Sequence, residues 1–251
     1  MLLIIVSVGV FRYRCSPRCP SCYLQIEQSR EQEIEALRRQ LEAARAQPAA
    51  PAAATPDEAR AKTLVARLWG QDQADVLAAT EETADWAIDR PAKVALSSAE
   101  AIPPLVMLLS HPMHKEATPN AAAALRSLAM LDDNKPRIAD AGAIPPLVAL
   151  LNDGTVRAKE EAAWALVNLA ANHEANKSRI ADAGAIPPLV ALLKDGAAGA
   201  KETAAWALLN IGSNQETLRV RIREAGAIPL LERLAKQGVG KASEALTKLR
   251  G

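Results

Sequence analysis

Three cysteines near the start of the sequence are the residues best suited to bind a metal. Cys15, Cys19 and Cys22 follow a C-x3-C-x2-C pattern, and thiolates at close spacing hold iron–sulfur clusters or zinc. A zinc site needs a fourth ligand, and no histidine is near in the sequence. No alternation of strand and helix patterns follows residue 23, so the sequence predicts no α/β fold that could surround a cluster. We therefore expect no cofactor and no metal, and we keep a metal or iron–sulfur site at these cysteines as an alternative.

The same cysteines lie beside an apolar run and three arginines, which favours a membrane anchor. Residues 2–11 are apolar, but a bilayer span takes about 20 apolar residues. A shallow insertion and an acyl chain together can hold a protein at a membrane. The three cysteines are therefore candidate lipidation sites, although Leu2 removes the myristoylation signal. The segment could equally be a signal remnant or an incorrectly predicted start of the gene.

Glutamate, tryptophan and asparagine recur at four-residue intervals in two segments. The two sets are Glu160, Trp164 and Asn168, and Glu202, Trp206 and Asn210. Residues four apart share a helix face, so each set forms a column. The amide of such a column could bind an extended peptide's backbone, while the indole packs on side-chain stems or cations. Alternatively, both tryptophans are packing residues of the core.

No enzyme activity is expected from the remaining polar residues. The histidines His111, His114 and His173 lie in predicted loops, and no serine, cysteine or carboxylate is tied to them by a catalytic motif. We expect these histidines on a solvated surface. The net charge of +1 and the pI near 7.7 give no global field for nucleic acid.

A repeat of 42 residues must position the two columns. The octapeptide AGAIPPLV stands at 141–148 and at 183–190, with shorter copies at 101–106 and 225–231. This period is typical of stacked helical repeats. The composition, 49% hydrophobic and only 3% aromatic, also suits helix-on-helix packing.

Each repeat is predicted to contain three helices. In the third copy, residues 176–183 form a first helix, and Gly184 allows the sharp turn that follows. Pro187 and Pro188 lie in the first turn of a second helix, and residues 200–211 form the third. Three helices with this glycine and proline arrangement resemble the armadillo repeat family.

The resemblance implies a right-handed superhelix whose third helices line a concave groove. The columns resemble the groove of nuclear-import adaptors in that family, where tryptophan and asparagine hold basic peptides. The outer repeats depart from this pattern, because Ala123 and Ser127 stand at the tryptophan and asparagine positions of repeat one, and Glu244 and Lys248 at those of repeat four. A nuclear-import role is therefore not expected. The charged helix 241–250 is predicted to be a solubilising cap.

We thus predict an all-α, armadillo-type superhelix of about four repeats with an N-terminal helical extension. Its expected function is non-catalytic: a scaffold or adaptor that binds a protein or a short extended peptide, basic peptides included. A membrane-tethered scaffold is the alternative, similar to vacuolar armadillo scaffolds acylated near the N-terminus. We expect a cytoplasmic location, with membrane association through the N-terminus, and leave the oligomeric state open.

The predicted segments are 1–23 (apolar and Cys/Arg-rich), 24–47 (charged helix or short coiled coil), 48–56 (linker), 57–91 (helical cap or degenerate repeat) and the repeats 92–133, 134–175, 176–217 and 218–251.

Overall fold

The structure, a computed structural model, describes residues 55–250 and, before them, residues 32, 34–36, 38 and 39. The earlier residues belong to a separate unit, 1–53. They are helical, and Arg39 Nε lies 3.7 Å from Glu35 Oε1. The predicted cysteine segment and most of the predicted linker lie outside the described residues.

Residues 55–250 form fourteen α-helices and one 3-10 turn, with no strand among them. Two helices come first, α1 (Pro56–Leu68) and α2 (Gln73–Trp86), and four three-helix repeats follow them. These are α3 (Arg90–Ser98), α4 (Ile102–Leu108) and α5 (Thr118–Leu128); α6 (Asn134–Asp140), α7 (Ile144–Asp153) and α8 (Val156–Ala170); α9 (Glu174–Asp182), α10 (Ile186–Asp195) and α11 (Ala198–Gly212); and α12 (Glu216–Glu224), α13 (Ala227–Lys236) and α14 (Gly240–Arg250). The prediction of an all-α fold built from three-helix repeats is confirmed.

The third helices of the repeats form one continuous stack. α2 packs on α5, α5 on α8, α8 on α11 and α11 on α14, and we call this stack the third-helix ladder. Small side chains allow these helices to approach closely: Ala121, Ala122 and Ala124 of α5 and Ala204 of α11 are fully buried. Leucines of the second helices, such as Leu147 and Leu189, complete the core.

A left-handed residue ends the first helix of every repeat. Gly142 and Gly184 have φ near +82° and Gly226 has φ +81°, a conformation in which glycine carries no Cβ penalty. The amide of Ala143 then donates to the carbonyl of Ile138 at 3.2 Å. The prolines of the second helix begin immediately afterwards. This turn fixes the register that brings the third helices of successive repeats side by side.

Repeat one has Glu100 where the other repeats have glycine, with φ +62°. A non-glycine residue in this conformation is strained by about 1–2 kcal/mol. We expect Glu100→Gly to raise the free energy of unfolding by about 0.5–1 kcal/mol, because the greater freedom of glycine in the unfolded chain offsets part of the relief. Urea unfolding measures this change. Glu100→Ala is the control: it removes the exposed ion pair with Arg137 (3.1 Å) but keeps the strain. Equal stability of the two variants would contradict the prediction.

Repeat one also differs between its second and third helices. In repeat two, only Gly154 and Thr155 separate α7 from α8. In repeat one, α4 ends at Leu108 and α5 begins at Thr118, with the 3-10 turn Pro112–His114 between them. This turn packs against α2.

Among the residues that the structure describes, no helix is both long and apolar enough to span a bilayer.

Candidate functional site

The two predicted columns lie on adjacent helices of the third-helix ladder. Glu160, Trp164 and Asn168 belong to α8, and Glu202, Trp206 and Asn210 to α11; we call these sets the Glu–Trp–Asn columns. Their glutamates sit in the second turns of these helices. Glu202 is exposed, and the other five residues are half-buried. Each column therefore keeps part of every side chain at the surface of the ladder.

The two indoles are in direct contact. The Trp164 and Trp206 rings meet edge-to-face with centroids 5.0 Å apart and an angle of 72° between their planes, which is a favourable aromatic geometry. Both rings also pack against the buried core. The sequence leaves open whether these rings face a groove or the core. In the structure each ring packs on the core and is also partly exposed. The space between the two rings is closed by their mutual contact.

The asparagine amides connect neighbouring helices of the ladder. Asn168 Nδ2 donates to the carbonyl of Arg126 on α5 at 2.9 Å, and Asn210 Nδ2 donates to the carbonyl of Val167 on α8 at 3.1 Å. Within residues 55–250, no donor reaches the Oδ1 atom of either asparagine. Each amide therefore holds two repeats in register with its nitrogen and keeps an acceptor for a ligand N–H.

A lysine of repeat four contacts the second column. Lys241 Nζ lies 4.6 Å from the centroid of the Trp206 ring, a cation–π distance. The same ammonium lies 2.9 Å from Glu244 Oε2 on the next turn of α14. Trp206 thus contacts Trp164 on one neighbouring helix and Lys241 on the other. The contact is not predictable from the sequence, which indicates only a charged cap, because a spacing of 35 residues has no local pattern.

A second cation–aromatic pair lies at the other end of the ladder. Arg60 of α1 places its guanidinium carbon 4.6 Å from the Trp86 ring centroid, and its Nη2 lies 3.0 Å from Glu82 Oε1. These residues line an open surface depression of about 520 Å³ together with Glu81 and Asp85. Here too, an aromatic face and a carboxylate hold a cation of the same chain.

A buried carboxylate beside the first column was not predicted from the sequence. Glu161 Oε2 lies 2.9 Å from Arg126 Nη1, and its side chain is only 16% exposed. Burial raises the pKa of the Glu161 carboxyl above its usual value, although Arg126 and Arg157 oppose the shift. Glu161 therefore carries its charge at a cost to the folded state.

This raised pKa has a consequence for stability. The folded Glu161 carboxyl binds a proton more readily than the unfolded one, so its contribution to stability falls as pH rises through the raised pKa. We expect Glu161→Gln to be more favourable, relative to wild type, at pH 7 than at pH 4. Urea unfolding at both pH values tests this, with the exposed Glu116→Gln as control. The same stability difference at both pH values would contradict it.

Polar anchors inside the repeats form another set that sequence reasoning missed. Lys177 is 1% exposed, and its Nζ donates to Glu174 Oε1 at 2.6 Å and to the carbonyl of Ser213 at 3.2 Å. The equivalent Lys135 binds the carbonyl of Ala171 at 2.8 Å. Each lysine joins the first helix of its repeat to the end of the third. The Asn-Lys pairs at 134–135 and 176–177 repeat with the period, and this recurrence was the available signal.

The three histidines do not share one environment. His173 and His111 accept backbone hydrogen bonds, from Asn176 N at 3.2 Å and Met113 N at 3.3 Å. His114 is only 7% exposed. The expectation of a solvated loop is therefore wrong for His114, whose 3-10 turn packs against α2.

Comparison with known proteins identifies the repeats. The family model described as "Armadillo/beta-catenin-like repeat" matches residues 132–171 and 173–213. A designed armadillo repeat protein solved in complex with the peptide (KR)4 is 31% identical, with a TM-score of 0.71, over 76% of this chain and 82% of that one. Computationally designed armadillo repeat proteins for modular peptide recognition give 29% identity and a TM-score of 0.70, over the same shares of the two chains. No curated protein sequence gives a significant match.

Proposed function

Because the chain belongs to the armadillo repeat family, we propose that it is a protein-interaction scaffold whose Glu–Trp–Asn columns bind a short extended peptide. The observation that carries this proposal is the pairing of two columns on adjacent helices, each with an asparagine Oδ1 that no described residue engages. Such an oxygen can accept a peptide N–H, and the exposed part of each indole can cover a side-chain stem. Peptide binding of this kind requires no catalytic residue.

The ligand we propose is basic. Glu160 and Glu202 stand one turn before the tryptophans, so each column combines a carboxylate with an aromatic face, the two groups that attract an ammonium or guanidinium. The chain's own Lys241 and Arg60 occupy settings of this kind at Trp206 and Trp86. The designed relative with bound (KR)4 supports the same ligand class.

The spacing of the columns limits the ligand length. Adjacent packed helices lie roughly 10 Å apart, and an extended peptide rises about 3.3 Å per residue. Two columns therefore match peptide residues about three positions apart. We propose recognition of a short linear motif.

Peptide binding tests the proposal directly. Fluorescence anisotropy with labelled (KR)4 should give saturable binding, whereas the acidic peptide (DE)4 should not bind. The net charge of +1 provides little long-range attraction for cations, so binding of (KR)4 that persists at raised salt reflects local contacts. Absence of saturable (KR)4 binding, or equal binding of both peptides, would refute a basic-peptide scaffold.

Location is a separate proposal, and it concerns residues 1–23. Cys15, Cys19 and Cys22 beside the apolar run support a lipidated membrane anchor for the scaffold. A fluorescent fusion of residues 1–60 should concentrate at membranes, and Cys→Ser replacement of all three should release it. A diffuse cytosolic signal from the unmodified fusion would exclude this anchor.

A further inference from the structure

A small cavity lies where repeat one departs from the other repeats. It has a volume of about 160 Å³ and lies between the α1–α2 connection, α4 and the 3-10 turn. Trp69, Met107, His111, Met113 and His114 line it, and we call it the His–Met pocket. It is separate from the Glu–Trp–Asn columns, and the proposed function makes no use of it.

The 3-10 turn brings the two imidazoles together. Side chains three residues apart eclipse one another in this conformation, and the His111 and His114 rings have centroids 4.7 Å apart. His111 Nδ1 accepts the amide of Met113 at 3.3 Å, so Nε2 is its remaining ring nitrogen. The turn therefore fixes the orientation of His111 before any ligand arrives.

His114 lines the pocket and also carries an unsatisfied polar atom. Its side chain is more than nine-tenths buried, and no described residue forms a hydrogen bond with its Nδ1. A buried nitrogen without a hydrogen-bond partner destabilises the folded state. A ligand that bonds to this nitrogen would recover that free energy.

The donors at the pocket are imidazole nitrogens, thioether sulfurs and the neutral amides of Gln71 and Gln73. Met107 is 37% exposed and Met113 is 66% exposed, so both flexible side chains can turn their sulfurs towards the imidazoles. Thioether and imidazole together suit a soft ion such as Cu(I), whereas zinc takes thiolate, imidazole or carboxylate ligands and harder ions prefer oxygen ligands. None of the residues that line the pocket carries a carboxylate or a fixed positive charge.

We propose that the His–Met pocket binds one Cu(I) ion. His114 Nδ1 and His111 Nε2 are the nitrogen ligands, and the sulfurs of Met107 and Met113 complete the set. The indole of Trp69 lies at the same pocket and faces the ion as an aromatic wall.

The experiment is an anaerobic Cu(I) titration of the full chain against the chromophoric chelator bicinchoninate. All variants carry Cys15→Ser, Cys19→Ser and Cys22→Ser, because free thiols would compete for the ion. We expect one Cu(I) to be withdrawn from the chelator. His114→Gln and Met113→Leu should each weaken binding at least about tenfold, which corresponds to about 1.4 kcal/mol.

Two matched variants serve as controls. His173→Gln removes a histidine from another loop, and Met130→Leu removes a methionine that is 62% exposed; both should bind Cu(I) as the parent does. Met113 is exposed, so its variant keeps the fold, and circular dichroism verifies this. The proposal is overturned if the cysteine-free parent withdraws no Cu(I), if His114→Gln and Met113→Leu bind like the parent, or if the control variants lose binding equally.

Discussion

Replacing both Trp164 and Trp206 with alanine is expected to abolish binding of (KR)4 while the protein remains helical. The two rings are the aromatic surface of the columns, and their mutual contact at 5.0 Å makes each support the other. Buried or half-buried tryptophans at binding surfaces are frequent hot spots, with losses of about 2 kcal/mol or more each. We therefore expect the dissociation constant to rise at least about a hundredfold, which corresponds to about 2.7 kcal/mol.

The same substitution will also lower stability, because both rings pack against the core. Fully buried tryptophans cost about 3–5 kcal/mol when replaced by alanine, and these half-buried rings will cost less. A circular dichroism spectrum with urea unfolding separates the two effects. Trp69→Ala is the matched control, since it removes an indole that is 52% exposed and distant in sequence from both columns. Loss of helical signal in the double variant would show that the rings are chiefly core residues, and unchanged binding would exclude them from the site.

The features that were predictable from the sequence are those encoded within one repeat. The glycine at position 184 and the prolines at 187 and 188 specify a turn and a helix start, so the helices followed from local chemistry. The third helix, expected at 200–211, runs from Ala198 to Gly212. The expected first helix, 176–183, is Glu174–Asp182. The armadillo architecture was predictable because its signal repeats at a fixed period, and the family model and the solved structures confirm it.

The features that were not predictable depend on contacts between repeats. The Asn168 amide bonds to a carbonyl 42 residues earlier, and Lys241 meets a ring 35 residues earlier in the chain. Neither follows from the pattern of one helix, because both need the packing angle and register of two neighbouring helices. His114 became buried for a similar reason, since α2 covers a turn that is itself polar and short. Local sequence thus specifies the elements, and the stacking of elements decides which side chains remain free.

The position of Lys241 affects how the proposed ligand can bind. Its ammonium lies over Trp206 at 4.6 Å, so a cationic side chain of the peptide must displace it to contact the same face. A cation–π contact contributes about 0.5–2 kcal/mol. We expect Lys241→Met to tighten (KR)4 binding by roughly three- to tenfold, because methionine keeps an apolar stem but removes the competing charge. The substitution also frees Glu244 from its ion pair, which adds a carboxylate near the ring.

Anisotropy titration of Lys241→Met beside Lys248→Met distinguishes this local competition from a change in net charge. Both substitutions remove one positive charge from α14, but Lys248 is exposed and has no aromatic contact among the described residues. Equal tightening in the two variants would mean that long-range charge alone is responsible. Weaker binding by Lys241→Met would mean that Lys241 positions Trp206 for the ligand. Selective tightening would mean that the chain's own lysine occupies the ligand's cation site, so the affinity of wild type already includes the cost of displacing it.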